Sequence, residues 1–362
     1  MPRRTPLAAD LEVALNRWLV LVGMVAVAGC VVGCSSSPES TASSGDGGID
    51  AGAVTEDLVL DEGTFTVAAG AEVVYCVKIP MPAAFRGREL ALTGWDSTVT
   101  APMHHYFMFY DSTSTSGTTP VPCEGNDPQV PASSAGLNLF SMGRLLFVAG
   151  TGQDTYRNQS GYGAVLTSNG SFVTNHHVIN ASANPITVGG KFTLKVTGAT
   201  SIPHPTQALS CQTVDINLPA MAATDVTATC LAPFDLDVVT LSSHAHQDLL
   251  SFETRMYDGK QTQPTVLYTS TQWESPAVVQ LPTPLHLKTG QGLTFTCHFD
   301  NTTGAAIGFG LNASSEMCAA MASYAYPVTK TGTVPPEMGA TILSNATPAT
   351  VGNTTGGAIP LF

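Results

Sequence analysis

Phe192-Thr193-Leu194-Lys195-Val196 alternates apolar and polar side chains with a period of two, the pattern of a strand with one buried face. Runs of the same kind recur along the chain: Thr64-Phe65-Thr66-Val67, Val73-Val74-Tyr75-Cys76-Val77, Tyr106-Phe107-Met108-Phe109 and Leu293-Thr294-Phe295-Thr296-Cys297. They are short, rich in β-branched and aromatic residues, and separated by Gly, Pro, Asn and Asp, as in the strands of a sandwich or jelly roll. Beyond the N-terminal segment no stretch holds a helical period over several turns. The expected fold class is all-β.

A chain of 362 residues is long enough for two domains, each with its own core. Ser201-Ile202-Pro203-His204-Pro205-Thr206 is polar, carries two prolines and lies near the middle of the mature chain. The expected boundary falls there, between an N-terminal domain over 56–203 and a C-terminal domain over 204–346. Residues 347–362, rich in Gly, Thr and Asn, are expected to form a loosely held tail.

Charged residues make up only 11% of the chain, and the net charge is −13. After Arg17 the basic residues are scattered, which argues against nucleic acid and anionic membrane surfaces as partners. Arg3, Arg4 and Arg17 precede the apolar run Trp18 to Gly29, which is short for a membrane span and has the form of an export signal. It leads into Val27-Ala28-Gly29-Cys30 and then Val31-Val32-Gly33-Cys34, both resembling the bacterial lipobox. Cys34 is the favoured lipidation site, because the Ser/Gly-rich stretch behind it suits a tether. The expected plan is a signal peptide over 1–33, a linker over 34–55, and a lipoprotein exported to the outer membrane, periplasm or cell surface. Its one membrane contact would be the lipid anchor. Cys76, Cys123, Cys211, Cys230, Cys297 and Cys318 remain, with no CxxC pair, and an even number in an exported chain implies disulfides.

Seven of the nine histidines fall into groups: His104-His105, His176-His177, and His244-Ala245-His246 with His298 nearby. Paired histidines in hydrophobic strands each need a buried polar partner. His244 and His246 follow the strand Val238-Val239-Thr240-Leu241, and residues i and i+2 share a face. Two imidazoles on one face can close on a metal ion. No HExxH and no neighbouring Asp or Glu supplies a zinc-hydrolase base. Met317, beside Cys318, adds a soft thioether, which with imidazole suits copper cycling through Cu(I). His104 and His105 can serve one ion only if the strand is disrupted, and Pro102 makes a bulge there plausible. Of His176 and His177, only one need be a ligand.

In order and spacing these motifs resemble the copper type II, ascorbate-dependent monooxygenase family, that of the peptidylglycine- and dopamine-hydroxylating enzymes. The resemblance runs from about Val73 to Tyr326. It implies two tandem jelly-roll-like domains facing a cleft, each with a copper ion. One ion would be held by His104, His105 and His177, and the other, catalytic one by His244, His246 and Met317. It also implies the bridges Cys297–Cys318 and Cys76–Cys123, which leaves Cys211 with Cys230. Peptidylglycine-hydroxylating members grip a peptide carboxylate with polar side chains where this chain has Ser242, Ala319 and Met321, so a peptide C-terminus is not the expected substrate. The implied activity is hydroxylation of a C–H bond in a small organic substrate, using O2 and ascorbate or another one-electron donor. The competing classes are a non-catalytic copper-binding lipoprotein and an adhesion module with structural histidines. Oxygen uptake and metal analysis separate them.

Overall fold

The computed structural model describes residues 54–100, 103–122, 143–149, 152–167, 169–310 and 314–326. The signal peptide, nearly all of the linker, Cys30, Cys34, Cys123 and the tail 347–362 lie outside the described residues. Among the described residues the regular structure is strand, apart from two single 3-10 turns, Ala83–Phe85 and Ala199–Ser201. The all-β expectation holds.

The first half contributes β1 (Glu56–Val67), β2 (Glu72–Pro80), β3 (Leu90–Val99), β4 (Met103–Asp111) and β5 (Val121–Pro122). It continues with β6 (Arg144–Ala149), β7 (Gly152–Arg157), β8 (Tyr162–Leu166), β9 (Ser171–Ile179) and β10 (Ile186–Gly198). The second half begins with β11 (His204–Thr213), β12 (Asn217–Leu218), β13 (Ala222–Leu231), β14 (Leu236–Ala245) and β15 (Leu249–Tyr257). It ends with β16 (Thr262–Ser270), β17 (Val279–Leu287), β18 (Gly292–Asn301), β19 (Ile307–Gly308) and β20 (Cys318–Ala325).

A nine-stranded sheet runs β1-β10-β3-β8-β11-β20-β14-β17, with β7 also on β3. A five-stranded sheet, β5-β2-β9-β4-β6, belongs to the first half, and a four-stranded sheet, β13-β18-β15-β16, to the second. Ladder pairings are antiparallel except at β8–β11, where His204 pairs with Tyr162 in parallel. The nine-stranded sheet therefore continues across the Pro203–Pro205 segment.

Two large hydrophobic cores follow from the alternation along these strands. The first gathers Leu58, Leu90, Tyr106, Met108, Phe172 and Phe192. The second gathers Leu218, Val238, Phe252, Leu287, Phe295 and Phe299. Burying one such side chain contributes roughly 1.5–3 kcal/mol. The disulfides Cys211–Cys230 and Cys297–Cys318 staple the second core, with Cα–Cα separations of 6.1 and 6.0 Å. Each links a strand of the nine-stranded sheet to one of the four-stranded sheet, β11 to β13 and β20 to β18. Cys76 is also disulfide-bonded. Its expected partner, Cys123, falls outside the described residues.

A smaller cluster positions the site. Along β4, Tyr106, Met108 and Tyr110 enter the first core, so His105, Phe107 and Phe109 point the other way. Phe107, Phe109, Leu145 and Val173 form their own buried cluster, against which Ala208 and Met321 pack. The outer face of the five-stranded sheet thereby meets β11 and β20 of the second half.

The halves also share a loop device. After β9, the Asn180 amide donates to the carbonyls of Val67, Ala68 and Asn184, and its oxygen accepts from Ser182. At the end of β18, Asn301 donates to Leu218, Pro219 and Ala305 and accepts from Thr303. Each asparagine replaces missing ladder partners for a turn. The correspondence makes His298 the positional counterpart of His177, each three residues before its asparagine.

Candidate metal centre

β4 carries the first expected ligand pair. Its register against β9 shifts between Met103 and His105, the irregularity that an adjacent pair on one ion requires. His104 lies within β4, but its side chain is outside the description. His105 is buried and stands directly across from His177 in the ladder, with ring centroids 5.2 Å apart. The Glu72 carboxylate accepts a hydrogen bond from His177 Nε2 at 2.7 Å, so the metal-binding lone pair falls to Nδ1.

His176 faces the opposite way. Its Nε2 donates to Glu62 Oε2 at 2.6 Å, both side chains are fully buried, and Thr174 donates to the same oxygen at 2.9 Å. His176 belongs to the first core, beside Tyr106 and Phe192, and lies apart from the other imidazoles. His298 is also apart, paired with Asp225 at 2.7 Å.

His244, the penultimate residue of β14, stands opposite Ala319 of β20, and His246 lies just past the strand. Their ring centroids are 5.6 Å apart. His246 Nδ1 donates to the Ser315 carbonyl at 2.7 Å, which leaves the lone pair on Nε2. Met317 is buried and lines a small void together with His244.

Sequence reasoning missed Glu316, which is fully buried. Its carboxylate accepts from the backbone N–H groups of His246 (2.9 Å), Asp248 (2.9 Å) and Met317 (3.1 Å). One side chain thus ties the His-x-His strand end to the methionine segment. Burial pushes its pKa up to about 7, against the lowering effect of those three donors, and Asp248 adds to the rise. The available signal was a lone acid between Ser315 and Met317 in a chain poor in charge.

The two donor sets meet. His105 and His244 have ring centroids 4.9 Å apart, and Phe107 lies edge-on to both, at 5.1 and 5.8 Å. Two imidazoles bound to one ion, each at about 2 Å, place their centroids roughly 5–6 Å apart. The spacings 5.2 and 5.6 Å fit that geometry within each set. Among the described residues, no group of three or more His, Cys, Asp or Glu is placed to hold a metal ion. What the structure offers is two imidazole pairs, with a thioether beside one of them. That donor set fits copper better than zinc.

A cavity of about 330 Å³ opens on this centre, with both His105 and His244 in its wall. Trp95 stacks on Phe147 at 4.0 Å and on Tyr156 at 4.4 Å, giving the cavity an aromatic side. Ser242 and Met321 line it as well, whereas Ala319 lines the small void instead. Asp154 and Glu274 also line the cavity, and no Lys or Arg does so among the described residues.

An all-β frame that gathers imidazoles and a thioether beside a cavity forms a candidate soft-metal site. A family match covers part of the chain. Residues 196–339 match the copper type II ascorbate-dependent monooxygenase, C-terminal domain, a stretch that includes His244, His246 and Met317. The resemblance read from the sequence is shown over that stretch. The match does not extend to His104, His105 or His177. No curated protein matches the chain. Among solved structures, the major capsid protein P2 of bacteriophage PM2 is similar at a TM-score of 0.36 and 10% identity, covering 76% of this chain and 98% of that one. A Sulfolobus turreted icosahedral virus structure is similar at a TM-score of 0.30 and 9% identity, covering 76% and 91%.

Proposed function

We propose that the protein is a copper-dependent monooxygenase that converts R–H to R–OH, consuming O2, two electrons and two protons and releasing water. One observation carries this reading: His105 and His244, one from each expected ligand set, stand in the wall of a single cavity with an aromatic side. Copper would be held by His104, His105 and His177 on one side and by His244, His246 and Met317 on the other. When bound, the two ions supply electron storage and O2 reduction. Ascorbate or another one-electron donor is the reductant.

The chain's own residues account for the rest. Met317 provides the soft donor that favours Cu(I). Ser315 and Glu72 fix which nitrogen of His246 and His177 faces the metal. The Trp95–Phe147–Tyr156 stack excludes water and offers a flat apolar wall to a substrate. Two carboxylates and no cation in that wall disfavour an anionic substrate, in line with the polar anchors absent at Ser242, Ala319 and Met321. The disulfides suit an oxidising compartment. We place the protein outside the cytoplasm, anchored by a lipid at Cys34, with its copper-bearing halves spanning 56–203 and 204–346.

The test is oxygen uptake by copper-loaded protein with ascorbate and a panel of uncharged aromatic and aliphatic compounds. Uptake matched by hydroxylated product supports the reading. Stoichiometric copper with no substrate-dependent uptake would instead indicate the non-catalytic copper-binding lipoprotein.

A further inference from the structure

Trp95 shares the wall of the large cavity with His105 and His244. Its ladder partner across β3 and β7 is Tyr156, and the two rings stack at 4.4 Å. Phe147 lies nearly parallel to the same indole at 4.0 Å. The pair runs from an almost buried indole, 6% exposed, to a partly exposed phenol. Tryptophan and tyrosine are among the side chains most readily oxidised by one electron, and rings in van der Waals contact exchange an electron quickly. The indole N–H of Trp95 is buried with no hydrogen-bond partner among the described residues. An oxidised Trp95 therefore has no base to take its proton and stays a strongly oxidising radical cation, which Tyr156 is placed to refill. Burial pushes the Tyr156 phenol up to about 12, so it is neutral at physiological pH and its electron leaves together with its proton.

We propose that Trp95 and Tyr156 form an outlet for oxidising equivalents, discharging hydrogen peroxide that arises in the cavity when no substrate is hydroxylated. The proposal rests on the copper reading, which supplies the oxygen chemistry. In each pass the oxidant gains one electron from Trp95 and one proton from water. Tyr156 returns an electron to Trp95 and releases its phenolic proton to solvent. Ascorbate or a similar donor then restores Tyr156 with one electron and one proton. Two passes convert one hydrogen peroxide to two waters. The residue spared is Met321, a thioether in the same wall that peroxide would otherwise convert to the sulfoxide.

Reduced, copper-loaded protein mixed with hydrogen peroxide without substrate and then freeze-quenched provides the test. Electron paramagnetic resonance should show a tyrosyl radical that narrows when the protein carries ring-deuterated tyrosine. In Tyr156→Phe an indole radical, narrowed by deuterated tryptophan instead, should take its place. In Trp95→Phe both signals should vanish, and peptide mass spectrometry should find severalfold more sulfoxide at Met321. Tyr156→Phe keeps the ring and the stack, and carries the test if Trp95→Phe does not fold. A tyrosyl signal unchanged in Tyr156→Phe would overturn the proposal, as would a copper-retaining wild type that forms no protein radical. Those results leave the copper reading standing. If the wild-type protein retains no copper, both fall.

Discussion

The imidazole of His105 lies closer to that of His244, at 4.9 Å, than to His177, its partner in the expected first ligand set, at 5.2 Å. Residues from opposite halves of the chain thus share one compartment. Protein loaded with Cu(II) at both sets should give an electron paramagnetic resonance spectrum that is broadened or reduced in intensity, with a half-field transition. His244→Ala should bind one ion fewer and show a simple isolated signal. Two full-intensity, non-interacting signals in the wild type would contradict a shared compartment.

His176 and His177 are neighbours with opposite duties, which mutation can separate. His176→Ala leaves the buried Glu62 carboxylate with the Thr174 hydroxyl as its remaining donor among the described residues, and losing one partner of a buried pair costs up to about 3–5 kcal/mol. Its copper content should be unchanged wherever the variant folds. His177→Ala should lose copper and little stability. Calorimetry and metal analysis on both variants check the contrast.

Glu316 acts on the metal through His246 and Met317. Glu316→Ala leaves three backbone N–H groups without their acceptor, each costing about 1–3 kcal/mol when buried. Cu(I) affinity at the His244/His246/Met317 set should fall, while the His105/His177 set keeps its ion. Glu316→Gln, which retains one carbonyl oxygen, should recover part of that affinity. Equal affinity in all three proteins would assign Glu316 a purely structural part.

Breaking Cys297–Cys318 should cost roughly 3 kcal/mol in the chain-entropy model. Cys318 is adjacent to Met317, so Cys297→Ala/Cys318→Ala should weaken copper at that set more than breaking Cys211–Cys230 does. Chemical denaturation and copper titration of the two double variants provide the comparison.

Much of this arrangement was legible in the sequence because it depends on local periodicity. The period-two runs gave the strands, and the same period placed His244 with His246 and set His176 against His177. What could not be read depends on long-range pairing. Glu62 finds His176 across 114 residues, and β8 joins β11 only through tertiary packing. Glu316 looks like an ordinary surface acid until three backbone donors surround it. The expectation of two sites across a cleft followed from the family resemblance, and the closeness of the sets, with the imidazoles in a row from His177 to His246, was not legible in the sequence.

The central claim, copper held by imidazole and the thioether of Met317, is tested most directly by X-ray absorption at the copper edge of the reduced protein. The wild type should show a copper–sulfur scattering shell beside the nitrogen shell, and Met317→Ile should lose it. That swap of similar volume should cost under about 1.5 kcal/mol of stability. A wild-type spectrum fitted by nitrogen and oxygen alone would contradict the claim, and the monooxygenase proposal would fall with it.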